Sequence, residues 1–123
     1  MLSCVALVVG CNKGKPYISS QELIDKFEDY SGREVIVRGF LARKEKKLYI
    51  YENEKASKLD SVMANSARIY LMKRGNTEIK EYCIDQNVVV YGTPKPFVGV
   101  LAISKVNEIL YMKDDSTCLK SDA

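Results

Sequence analysis

One strand pattern occurs twice in this chain, and it limits the folds open to it. Gly32-x-x-Val35-x-Val37-x-Gly39 is echoed by Val88-x-Val90-x-Gly92. Side chains of an extended strand alternate between faces, so each valine pair points to one side. The glycine that follows is a place where a strand can bulge or bend sharply. Such bends suit a small closed barrel, whose strands must coil until no sheet edge is left. The 123 residues leave room for one core of this kind and no second sizeable one.

The rest of the pattern agrees with a mainly β domain. Ser19 and Glu22 have capping-box spacing, and Leu23, Phe27 and Tyr30 recur at helical intervals before Ser31-Gly32 ends the run. Asp25, Glu28 and Asp29 form the opposite face, which reads as a solvated surface. From Glu34 the period changes to two. Strands are predicted over Glu34–Phe40, Leu48–Tyr51, Ala67–Met72, Val88–Tyr91 and Val100–Val106, the last extending toward Tyr111. Glu45-Lys46-Lys47 and Gly75-Asn76 read as turns, and Thr77 as the cap of a short helix bearing Ile79, Tyr82 and Cys83. Residues 53–66 read as polar, with Leu59, Val62 and Met63 suggesting one helical turn. Thr93-Pro94-Lys95-Pro96 reads as a loop.

Five strands, an N-terminal helix and a short helix between strands three and four make the OB-fold arrangement. Over residues 20–112 the chain resembles small bacterial OB-fold proteins, including those related to tRNA-anticodon-binding-like domains. The resemblance rests on strand order, the repeated valine–glycine pattern and the Gly99–Ile103 strand after a loop. A generic small α+β domain is the alternative if the 53–66 segment is read differently.

Residues 1–10 carry no charge, and an apolar run there ends at Gly10-Cys11 before Lys13. The run is too short for a membrane-spanning helix but fits a signal-peptide hydrophobic region. Val8-Val9-Gly10-Cys11 resembles the bacterial lipobox. That resemblance implies cleavage after a 1–10 signal peptide and a lipid, such as palmitate, anchoring Cys11. It also implies a place in the cell envelope, and Asn12 points to the outer membrane, facing the periplasm. The domain plan becomes a signal peptide at 1–10, lipidated cysteine and linker at 11–19, barrel at 20–112 and flexible tail at 113–123. With Cys4 removed and Cys11 acylated, Cys83 and Cys118 can pair in an oxidising compartment. Cys83 is equally well read as a buried apolar residue beside Ile79 and Tyr82.

The chain contains no histidine. This excludes Ser-His-Asp and Cys-His nucleophile systems and every His-ligated metal site. Gly10 to Lys15 falls one residue short of phosphate-loop spacing, and Asp114-Asp115 sits in the predicted tail. We therefore expect no enzyme, no cofactor and no metal. OB-folds bind ligands on the face of strands two and three. That face would present Tyr49, Tyr51 and Tyr70, with Arg38 beside them. Residues 33–47 hold six basic side chains against two acidic ones, a local net of +4. The expected function is a lipid-anchored envelope binding module with a protein or glycan partner. The alternative is a cytosolic protein for single-stranded nucleic acid, since bases stack on tyrosines and phosphates pair with cations. Export makes nucleic acid the less expected partner.

Overall fold

A computed structural model describes residues 15–59, 67–72 and 78–120. The lipobox, its Cys11, the signal sequence with Cys4, the Gly75-Asn76 turn, Thr77, Val62 and Met63 lie outside the described residues.

The protein is mainly β, a small OB-like barrel. Six strands are present among the described residues: β1 (Tyr17–Ser19), β2 (Val35–Lys44), β3 (Lys47–Tyr51), β4 (Arg68–Leu71), β5 (Gln86–Pro94) and β6 (Ala102–Tyr111). Their order is β1-β2-β3-β4-β6-β5, and an additional β2–β5 pairing closes the ring. All neighbours are antiparallel except β1–β2 and β4–β6. Five of the strands correspond to those predicted. Among the described residues three short helices accompany them: α1 (Ser20–Asp25), α2 (Phe27–Tyr30) and α3 (Glu54–Ser57). A 3-10 turn, Glu81–Cys83, stands between β4 and β5, where a short helix is predicted.

The two halves of the repeated pattern meet at the seam. Val35 pairs with Gly92, Val37 with Val90, and Gly39 with Val88. Each glycine thus lies opposite the first valine of the other copy. Val35, Val37, Val88 and Val90 are fully buried in the core. The expected bend is present at only one glycine. The β5–β6 register shifts between Tyr91 and Gly92, whereas Gly39 stays in regular register. Gly39 instead lets α1 and β3 approach closely: a Cβ there would run into Ser20 Oγ, and the Ser20 hydroxyl donates to the Arg38 carbonyl at 2.9 Å.

Four segments differ from expectation. Thr93 and Pro94, predicted as loop, end β5 instead and pair with Lys105 and Ile103 of β6. The predicted single helix is broken at Lys26, whose ψ of 36° separates α1 from α2. Its N-terminus is as expected, for Ser19 Oγ accepts from the Glu22 amide. The end of the predicted linker forms β1, parallel to Ile36–Arg38 of β2. β5 holds one side of β2 there, and β3 pairs only from Phe40 onward, so β1 takes the vacant side. The predicted flexible tail returns to the barrel as far as Lys120. Thr117 bridges to Leu110 and Leu119 to Ile79, and the Cys118 amide donates to the Ile109 carbonyl at 2.7 Å. A disulfide joins Cys118 to Cys83, with both residues fully buried. The composition of the tail is polar, and backbone hydrogen bonds together with the disulfide tie it to the barrel.

Candidate functional site

The alternation of β3 sends Leu48 and Ile50 into the core and Tyr49 and Tyr51 to the outer face. β2 contributes Phe40 and Ala42 to that face, and β4 contributes Tyr70. Register then aligns a row across four strands. Ala42 pairs with Tyr49, Tyr49 with Tyr70, and Tyr70 with Ala102. Tyr49 is itself buried, at 8% exposure, and Tyr70 beside it is half-buried.

Tyr49 and Tyr70 form a tilted pair with ring centroids 5.5 Å apart. Phe97, from the loop between β5 and β6, continues it at 6.1 Å from Tyr70. On the other side the Arg68 guanidinium lies 3.9 Å from the Tyr49 ring centroid. The result is a ladder of Arg68, Tyr49, Tyr70 and Phe97. Offset aromatic contacts and a guanidinium over a ring are each favourable, and together they hold the rings in fixed planes.

Beside the ladder is a groove of about 470 Å³, lined by Arg43, Lys44, Glu45, Tyr49, Tyr51, Ser57, Leu59 and Arg68. The β2–β3 hairpin forms part of its rim. Glu45 and Lys46 both take positive φ, 52° and 70°, so the two-residue turn has the twist that hairpins favour, without glycine or asparagine. α3 forms another part, capped by Asn53, whose side-chain oxygen accepts from the Ala56 amide at 2.8 Å. Lys44 spans the two, donating to the Ser57 carbonyl at 2.7 Å with its Nζ 5.9 Å from the Tyr51 ring. Arg43, also on the rim, makes a two-pronged pair with Glu81, at 3.1 and 2.8 Å. That pairing raises the Arg43 pKa and holds the Glu81 carboxyl below its ordinary value.

The four predicted ligand residues separate into three situations. Tyr49 and Tyr70 stand together in the ladder, with Tyr49 covered by Arg68 and Tyr70 half-buried. Tyr51 shares their face but is 1% exposed, because Ala56 of α3 and Lys44 cover it. It supports the groove from below and offers no free ring. Arg38 is exposed on the outer face, but its guanidinium is engaged with the Tyr17 ring of β1 at 5.5 Å. No contact joins it to the Tyr49–Tyr70 pair among the described residues.

Two members of the ladder were missed. Arg68 was in principle legible, since it precedes Tyr70 by two on one strand and so shares its face. Phe97 carried no comparable signal. It sits in a proline-containing loop, and its place follows from the tight turn in which Phe97 and Val100 exchange backbone hydrogen bonds of 2.8 and 3.0 Å.

No protein-family model and no curated protein matches this chain. Among solved structures it is similar to a chain described as an aspartyl-tRNA synthetase from Leishmania major Friedlin, at 14% identity and a TM-score of 0.44. The match covers 98% of this chain and 23% of that one, so the present chain spans under a quarter of the other protein's length. A likeness of that order says nothing about what this chain binds.

Proposed function

We propose that this protein is a non-enzymatic binding module, held at the bacterial envelope by a lipid on Cys11, that takes a glycan or protein segment on its outer face. The observation that carries the reading is the Arg68–Tyr49–Tyr70–Phe97 ladder beside an open groove. Flat rings in a fixed row suit the apolar faces of sugar rings or of planar and aliphatic side chains. The hydroxyls and cations at the edge supply orientation. The Cys83–Cys118 disulfide supports export, because such bonds persist in oxidising compartments.

Two experiments test the parts separately. Tyr70→Ala, in the middle of the ladder, is expected to weaken binding to an oligosaccharide or protein ligand by about tenfold or more. Binding that survives Tyr70→Ala and Phe97→Ala unchanged overturns the assignment of the face. Tight, salt-sensitive binding of a single-stranded oligonucleotide on the same rings would move the reading to the nucleic-acid class. Cys11→Ser is expected to release the protein from membranes and abolish palmitate labelling. Continued association with labelling intact removes the anchor.

A further inference from the structure

α1, α2 and the β5–β6 loop enclose a second groove of about 590 Å³, separate from the one beside the ladder. Ile24, Phe27, Pro96 and Leu101 give it an apolar floor. Ile24 and Leu101 pack against the core with part of each side chain and remain partly open. The β5–β6 loop reaches this groove through Pro96 and Leu101. Val98 at its tip is 85% exposed and held at a φ of 49°, a conformation that β-branched residues disfavour.

The rim has the opposite character. Asp25, Glu28 and Asp29 line it against Lys26, a net of −2 on a chain whose overall charge is +3. Among the described residues, none of the three carboxylates is in an ion pair. Asp25 accepts a neutral hydrogen bond from Gln21, at 2.9 Å. The nearby Arg33 is turned toward the Tyr30 ring and the Asp29 main-chain carbonyl.

We infer that this groove docks a basic, apolar segment of a partner protein. The floor selects side chains such as Leu or Ile, and the rim selects Lys or Arg on the same segment. An anionic ligand would meet three carboxylates at the entrance. Such a segment laid in a groove, with apolar anchors down and cations at the edge, is a recurrent recognition mode.

The test uses the full chain and a short synthetic Leu/Lys peptide patterned as an amphipathic helix, with a Leu/Glu peptide of the same pattern as control. Methyl resonances of Ile24 and Leu101 are expected to shift with the Leu/Lys peptide alone. The isosteric variant Asp25→Asn/Glu28→Gln/Asp29→Asn, whose changes are all exposed, is expected to weaken that binding about tenfold. Equal binding of the Leu/Glu peptide, shifts that map elsewhere, or full affinity in the neutralised variant overturns the inference. So does self-association through Ile24 and Leu101 in place of peptide binding.

Discussion

At Gly39 a methyl group would meet Ile50 Cγ1 at 2.5 Å and the Tyr51 carbonyl oxygen at 2.6 Å. At Gly92 it would meet Ile103 Cγ2 and the Lys105 carbonyl oxygen, both at 2.5 Å. Backbone atoms cannot step aside as a flexible side chain can. Gly39→Ala and Gly92→Ala should therefore each destabilise by about 1–3 kcal/mol, read as a lower urea midpoint at unchanged slope. Gly32 is a useful contrast. Nothing lies within 4 Å of a Cβ there, but its φ of +85° is strained for any other residue. Gly32→Ala should cost about 1 kcal/mol, through the backbone alone. The importance of Gly39 and Gly92 was legible in the sequence because the valine–glycine pattern repeats. The reason for Gly39 was not, since close approach by Ser20 depends on where α1 packs.

Elements held by local periodicity were the most legible. Strands β2 to β6 follow from alternation, and the Ser19 cap from its spacing to Glu22. Elements held by distant partners were not. β1 is three residues long, too short for alternation to show, and exists because β2 offers it a free side. The return of residues 113–120 rests on backbone hydrogen bonds and a covalent bond across 35 positions of sequence. The burial of Tyr51 depends on α3, whose Ala56 carries no sign of its role as a cover. Removing the bond tests the tail directly. By loop-closure entropy, Cys83→Ser/Cys118→Ser should lose about 3–4 kcal/mol in urea unfolding. Amide exchange should rise at Cys118 and Lys120, whose amides donate to Ile109 and Glu78. If protection there is unchanged, the hydrogen bonds hold the segment without the disulfide.

Across the whole molecule, pH should bound a plateau of stability. The hydrogen bonds from Arg43 hold Glu81 below its ordinary 4.5, and those from Ser116 hold Asp114 below 3.8. A depressed carboxyl stabilises the fold above its unfolded value, and the contribution is lost as pH falls through the folded one. Tyr30 acts at the other limit. Its hydroxyl donates to Glu22 at 2.6 Å, which raises its pKa above 10.0. A raised group contributes fully below its unfolded value and loses that contribution as pH rises through the folded one. Urea midpoints should thus decline below about pH 4 and above about pH 10. Glu81→Gln should flatten the acid limb, and Tyr30→Phe the alkaline limb.

The antiparallel match of Val35-x-Val37-x-Gly39 with Gly92-x-Val90-x-Val88 has a consequence beyond the single chain. Because the two segments share one pattern, β2 is also complementary to β2 of another molecule, with valine facing glycine in the same way. Inside the barrel this complementarity is used up. Before the ring closes it is not, and a neighbouring chain is then a competitor for the seam. Refolding yield should accordingly fall as protein concentration rises, and the by-products should be exchanged dimers rather than disordered aggregate.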